Sequence, residues 1–147
     1  MSLLSPADQE KLRESFDEMT VPVRVLFFTQ TLDCEACVQT RKILDELPAL
    51  SDKIAVEEVN FVLEKDTAEQ YGIDRVPALA LLTQDGSGEA RDTRIRFLGT
   101  PAGYEFVSLV QALMLAGGHQ SQLTPANRAR IAAVNTPTTI QVFSTPT

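Results

Sequence analysis

Residues 21–28 read VPVRVLFF, apolar but for one arginine and rich in β-branched and aromatic side chains. Such a segment suits a strand buried on both faces. A sheet holding it needs helices on both sides, so an α/β architecture is expected.

The flanking segments supply those helices. Ser5-Pro6-Ala7-Asp8 has a capping hydroxyl, a proline at a harmless position and an acid near the positive end, and Leu12, Phe16 and Met19 follow at one-face helical spacing. A polar loop leads to a helix over 34–47, with Cys37, Leu44 and Leu47 broadly on one side and Pro48 to end it. Residues 53–61 read as a second strand and 64–72 as a short helix closed by Gly72. Residues 76–84 and 93–99 form a hairpin around DGSG, with Ile95 and Phe97 alternating against arginines. A helix over 101–118 carries Phe106, Leu109, Val110 and Leu113 as its apolar stripe. Strand–helix–strand order forces a parallel, right-handed crossover. The expected fold is a four-stranded mixed sheet with helices on both faces and an extra N-terminal helix.

The tail holds a second cap-plus-proline helix, LTPANRARIAAV, and then TTIQVFSTPT. Set under VLFFTQT (25–31), the closing QVFSTPT (141–147) pairs Phe27 with Phe143, Thr29 with Thr145 and Thr31 with Thr147. The expected organisation is a domain over 1–118, a linker with a helix over 119–137, and the opening strand of a second, truncated unit over 138–147.

At a formal charge of −7, the surface repels nucleic acid and anionic membranes, and no apolar run reaches the roughly 20 residues of a membrane span. The polar start does not read as a secretion signal, so a cytoplasmic setting is expected.

Both cysteines lie in LDCEACVQTRK, as Cys34 and Cys37. A closed zinc site needs four ligands, and the chain adds only His119, in a loop far along the sequence. Metal binding would therefore bridge two chains. As a staple the pair closes too small a loop to remove much unfolded-chain entropy. As a redox pair it has a mechanism. Cys34 at a helix start faces unpaired N–H groups and the positive dipole end, which favours thiolate; Cys37, one turn on, can resolve a mixed disulfide. Asp33 and Glu35 would raise the Cys34 pKa again, giving a moderately activated, reducing pair, unless they are plain solvated loop charge. Val76-Pro77, opening a strand, is either an ordinary trans edge proline or a cis bond beside the site.

CEAC after a buried strand, AEQYGIDRVPALALL and a hairpin closing on RFLG resemble the thioredoxin superfamily. GTPAGYEFVSLVQAL and the final VFSTPT resemble the first unit of the two-unit protein disulfide oxidoreductases, also called glutaredoxin-like proteins. The N-terminal domain of alkyl hydroperoxide reductase flavoproteins has related architecture. The resemblance implies a thioredoxin-like fold, Cys34 as nucleophile and Cys37 as resolving thiol. It also implies a cis Val76-Pro77 bond beside the disulfide, with the Val76 backbone pairing a substrate strand. Gly99, Pro101 and Gly103 would shape the turn into the last helix. The chain departs from thioredoxin in lacking a Trp before the motif and in having Glu35-Ala36 at its centre.

The function expected is thiol–disulfide exchange with protein disulfides, without metal or cofactor, served by a thioredoxin-reductase-like flavoprotein donor. The alternative is a redox-relay or substrate-docking module for a second catalytic unit. His119 reads as a loop residue rather than a general base.

Overall fold

The computed structural model describes residues 3–145. Helix α1 (Pro6–Asp17) is followed by β1 (Val23–Thr29), α2 (Glu35–Leu44), β2 (Ile54–Asn60), α3 (Lys65–Gln70), β3 (Ala78–Gln84), β4 (Ala90–Leu98), α4 (Tyr104–Ala116) and α5 (Pro125–Ala132). The strands form one mixed sheet in the order β2-β1-β3-β4. β1 runs parallel to β2 and antiparallel to β3, and β3 runs antiparallel to β4.

The α/β expectation rested on β1, and β1 lies second in the sheet with side chains buried on both faces. Val23, Val25 and Phe27 point with Leu79 and Leu81 of β3 into a core closed by Phe16 of α1, Leu44 of α2 and Leu109 and Leu113 of α4. Leu26 and Phe28 point the other way, with Ala78, Ala80 and Leu82, onto Val59 and the α3 region through Ala68 and Ile73. Each fully buried Leu, Val or Phe contributes about 1.5–3 kcal/mol relative to exposure, so the two-sided strand anchors the fold. Three helices cover one face and α3 the other.

Local chemistry fixes the helix starts. Ser5 Oγ accepts the Asp8 N–H at 3.2 Å ahead of Pro6, and Thr124 Oγ1 accepts the Asn127 N–H at 3.2 Å ahead of Pro125. Helix α2 stops at Leu44, short of the expected Leu47. The chain tightens there into successive turns, with Leu47 N–H bonded to Leu44 O and Leu50 N–H to Leu47 O, and Leu47 is still buried. Strand β4 begins three residues earlier than expected because it is irregular. Ala80 pairs with Arg96 and Leu82 with Asp92, leaving Thr93, Arg94 and Ile95 opposite Leu81 alone. Arg94 takes φ +64° there, and the Thr93 hydroxyl donates to Leu81 O at 2.7 Å.

Helix α5 has no buried residue, and residues 134–145 form neither helix nor strand and are exposed. The segment expected as an opening strand is thus described to Thr145 without a ladder. Its last two residues, and Met1 and Ser2, lie outside the described residues.

Candidate functional site

One end of the sheet gathers the site. Thr29 at the end of β1 pairs with Asn60 at the end of β2, and Ala78 at the start of β3 pairs with Phe28 and with Leu98 at the end of β4. The loops beyond that row carry Cys34, Val76-Pro77 and Gly99-Thr100. Helix α4 leaves from the same end and runs 13 residues, roughly 20 Å, before reaching Gly117, where Thr20 bonds its carbonyl just ahead of β1. His119 lies beyond it, with Nδ1 3.5 Å from Glu18, at the far end of the sheet from the cysteines.

Cys34 is the N-cap of α2, and its Sγ accepts the Cys37 backbone N–H at 3.1 Å. The same N–H lies 3.2 Å from Cys34 O. The two sulfurs are joined in a disulfide across a Cα–Cα distance of 5.2 Å. Cys34 is half-exposed, whereas Cys37 is 1% exposed. Asp33, just before, adopts φ +55°, a left-handed conformation that Asp tolerates, and Gln30 Nε2 donates to Leu32 O at 2.9 Å. Asp33 thus makes the turn that delivers Cys34 to the helix start, a backbone role that its charge does not reveal. Its carboxylate and that of Glu35 are exposed. Glu35 in the first turn and Arg41 and Lys42 in the last complement the helix dipole.

The far end of α2 is tied to the sheet. Arg41 lies over the Phe27 ring, 5.6 Å from its centroid, and donates to Glu58 of β2 at 2.5 Å. That hydrogen bond holds the Glu58 carboxyl below its ordinary range and raises the Arg41 guanidinium.

Val76-Pro77 is a cis peptide bond. Val76 is half-buried against the α3-side core, and Pro77 is buried. Asp74 and Arg75 just before it pair at 2.8 Å, a hydrogen bond that lowers the exposed Asp74 carboxyl. Gly99 N–H donates to Pro77 O at 2.9 Å, and the next residue, Thr100, places its hydroxyl 3.2 Å from Ala36 O inside the cysteine motif. Consecutive residues of the β4–α4 loop therefore hold the proline on one side and the cysteine helix on the other. Gly99, expected only to shape a turn, and Thr100, which no sequence signal singled out, form this tie. A groove of about 400 Å³ opens beside the loop that leads to Cys34, lined in part by Gln30, Phe61, Val62 and Asp74. Among the described residues no group of three His, Cys, Asp or Glu side chains is placed to hold a metal ion.

No protein-family model matches the chain. The alkyl hydroperoxide reductase AhpF of Escherichia coli is 34% identical over 113 residues, covering 76% of this chain and 18% of that protein. Its counterpart from Xanthomonas campestris pv. phaseoli is 39% identical over 80 residues, covering 54% and 12%. Among solved structures, the N-terminal NTD_N/C domain of the alkylhydroperoxide reductase AhpF from Enterococcus faecalis superimposes with a TM-score of 0.77 at 28% identity, over 88% of this chain and 60% of that one. The chain has a thioredoxin-like fold. A protein disulfide oxidoreductase from Aeropyrum pernix, at TM-score 0.72 and 24% identity over 88% of this chain and 54% of that one, shares the fold. The chain is homologous to the N-terminal thioredoxin-like region of AhpF, and it spans less than a fifth of the curated relatives it matches. Its Cys34 and Cys37 are joined in a disulfide in CxxC spacing. No helix among the described residues is long and apolar enough to cross a membrane.

Proposed function

We propose that this chain is a thiol–disulfide oxidoreductase unit acting on protein disulfides, with Cys34 as nucleophile and Cys37 as resolving thiol. The observation that carries the reading is the asymmetry of the pair. Cys34 is half-exposed at a helix start with a backbone N–H on its sulfur, and Cys37 is sealed one turn behind it. In the reducing direction, the Cys34 thiolate attacks one sulfur of a substrate disulfide. A mixed disulfide forms and the first substrate thiolate leaves. The Cys37 thiolate then attacks Cys34 Sγ, closing the intramolecular disulfide and expelling the second substrate thiolate. Two electrons pass to the substrate, and a flavoprotein of the thioredoxin-reductase type returns two to the pair. The Val76 backbone pairs with the substrate strand beside Pro77, and Asp33 and Glu35 temper the thiolate by raising its pKa. Such cycling needs a reducing thiol pool, which favours the cytoplasm.

Trapping tests the assignment. With a model protein disulfide, Cys37→Ser should accumulate a mixed disulfide through Cys34, and Cys34→Ser should not. Both variants reducing the substrate at the wild-type rate would end the proposal.

A second reading is favoured by the homology to one region of a much larger reductase. Here the domain relays electrons or docks substrate for a catalytic unit elsewhere. An isolated chain that binds its reductase yet leaves protein disulfides intact would select it. We also infer that residues 1–118 form the domain, that 119–137 link it onward, and that 138–147 open a second unit. Ile140, Val142 and Phe143 support this by being apolar yet 83–89% exposed. A coding sequence without a further thioredoxin-like unit after residue 147 would refute it.

A further inference from the structure

The Ala36 carbonyl and the Cys37 N–H belong to one peptide group, and both ends of that group are engaged. The N–H is shared between Cys34 Sγ at 3.1 Å and Cys34 O at 3.2 Å. At the other end, Ala36 O lies 2.8 Å from the Thr40 hydroxyl and 3.2 Å from the Thr100 hydroxyl, and the two hydroxyls are 3.0 Å apart. Each hydroxyl has a single proton. With Thr100 donating to Ala36 O, Thr40 donates either to the same carbonyl or to Thr100 Oγ1, so both oxygens and the carbonyl are satisfied together. Thr40 is wholly buried, and Thr100 arrives from the β4–α4 loop, 60 residues further along the chain.

A peptide group that accepts at its carbonyl is a better donor at its N–H, because polarisation passes along a chain of hydrogen bonds. The same bonds fix the plane of the group, so its N–H stays aimed at Cys34 Sγ after the sulfur–sulfur bond is cut. A hydrogen bond to a charged acceptor is worth more than one to a neutral sulfur, so the aimed N–H favours the thiolate over the thiol.

Resting on the reading of Cys34 as the attacking thiol, we propose that Thr100 is a positioning residue for thiol–disulfide exchange. With Thr40, it braces the Ala36–Cys37 peptide so that the Cys37 N–H stabilises the Cys34 thiolate. It touches neither sulfur nor substrate. Losing the brace raises the Cys34 pKa and, since the reduced form loses stabilisation, makes the pair more reducing. Other charged groups lie at the same end of the sheet. Asp33 and Glu35 flank Cys34, and the loops and helix at this end of the sheet carry Glu64, the paired Asp74 and Arg75, and Glu105. All stay unchanged in the variants below.

The test uses the whole chain with Thr100→Val, which keeps the shape and removes the hydroxyl, and Thr100→Ser, which keeps the hydroxyl. Thr40→Val removes the other donor and serves should Thr100→Val not fold. The readouts are thiolate absorbance of the reduced protein against pH and the exchange equilibrium with glutathione. The valine variants should lower the Cys34 acid-dissociation constant about threefold. They should also shift the equilibrium about threefold toward the disulfide, which at 29.6 mV per tenfold is about 14 mV. Thr100→Ser should return both to wild type. Valine variants that match wild type in both readouts, or a serine variant that shifts as far as valine, would overturn the proposal. Wild-type turnover in that case leaves the oxidoreductase reading standing, whereas the Cys34→Ser trapping result tests that reading by itself.

Discussion

Cys34 Sγ accepts a backbone hydrogen bond at 3.1 Å from Cys37, the residue to which it is also joined through sulfur. The cap and the disulfide are thus separable. Reduction removes the covalent link and leaves the sulfur as the acceptor at the start of α2.

In the reduced protein, then, Cys34→Ser should keep the N-cap and Cys34→Ala should lose it. Alanine at an N-cap costs about 0.5–2 kcal/mol. Urea unfolding under reducing conditions should place the alanine variant below the serine variant by about that amount. Equal midpoints would mean that the sulfur does not cap the helix.

Arg96 and Asp92 make two parallel hydrogen bonds, 2.8 and 2.7 Å, on the irregular strand β4. The same guanidinium donates to Tyr71 O at 3.1 Å and sits 5.7 Å from the Tyr71 ring centroid, fastening β4 to the end of α3. The hydrogen bond from Arg96 holds the Asp92 carboxyl below its usual 3.8. A carboxyl lowered by folding stabilises the native state above its unfolded pKa, and that contribution fades as pH falls through the lower folded value. Asp92→Asn should therefore cost about 1–2 kcal/mol at neutral pH and progressively less as acid protonates the native carboxyl. Denaturant melts at pH 7 and in acid check the sign.

Gly117 and Gly118 make the close approach between α4 and the segment before β1. A Cβ on Gly117 would fall 2.6 Å from Met19 Cε, and one on Gly118 would fall 2.3 Å from Thr20 Oγ1 at φ +93°. Gly118→Ala combines a clash with backbone strain and should cost about 2 kcal/mol or more. Gly117→Ala should cost less, about 1–2 kcal/mol, because at φ −79° it adds no backbone strain, although Met19 must move both Cε and Cγ, the latter 2.7 Å away. Gly86, whose Cβ would meet nothing, is the neutral control. Thermal melts of the three variants should rank in that order.

Much of this was readable in the sequence because it is written in short-range chemistry. VPVRVLFF carries its two-sided burial in its composition, and the cap-plus-proline pairs Ser5-Pro6 and Thr124-Pro125 mark two helix starts. The spacing of Cys34 and Cys37 contains the helical turn that brings them together. What was not readable depends on partners far along the chain. Thr40 reads as an ordinary mid-helix hydroxyl until Thr100 meets it beside Ala36. Asp33 reads as a charge, and its φ of +55° is visible only once the loop closes. Arg41 reads as a helix-end base, but its place over Phe27 and against Glu58 comes from the parallel crossover. The apolar alternation of TTIQVF signals a strand, but a strand needs a neighbour to form its ladder.

The central claim is that two neighbouring thiols differ in reach, and alkylation of the reduced protein tests it most directly. Limiting iodoacetamide followed by peptide mass analysis should give one adduct on Cys34, with Cys37 modified only as the protein unfolds. Equal labelling of both cysteines in the folded protein, or labelling of Cys37 first, would contradict the account.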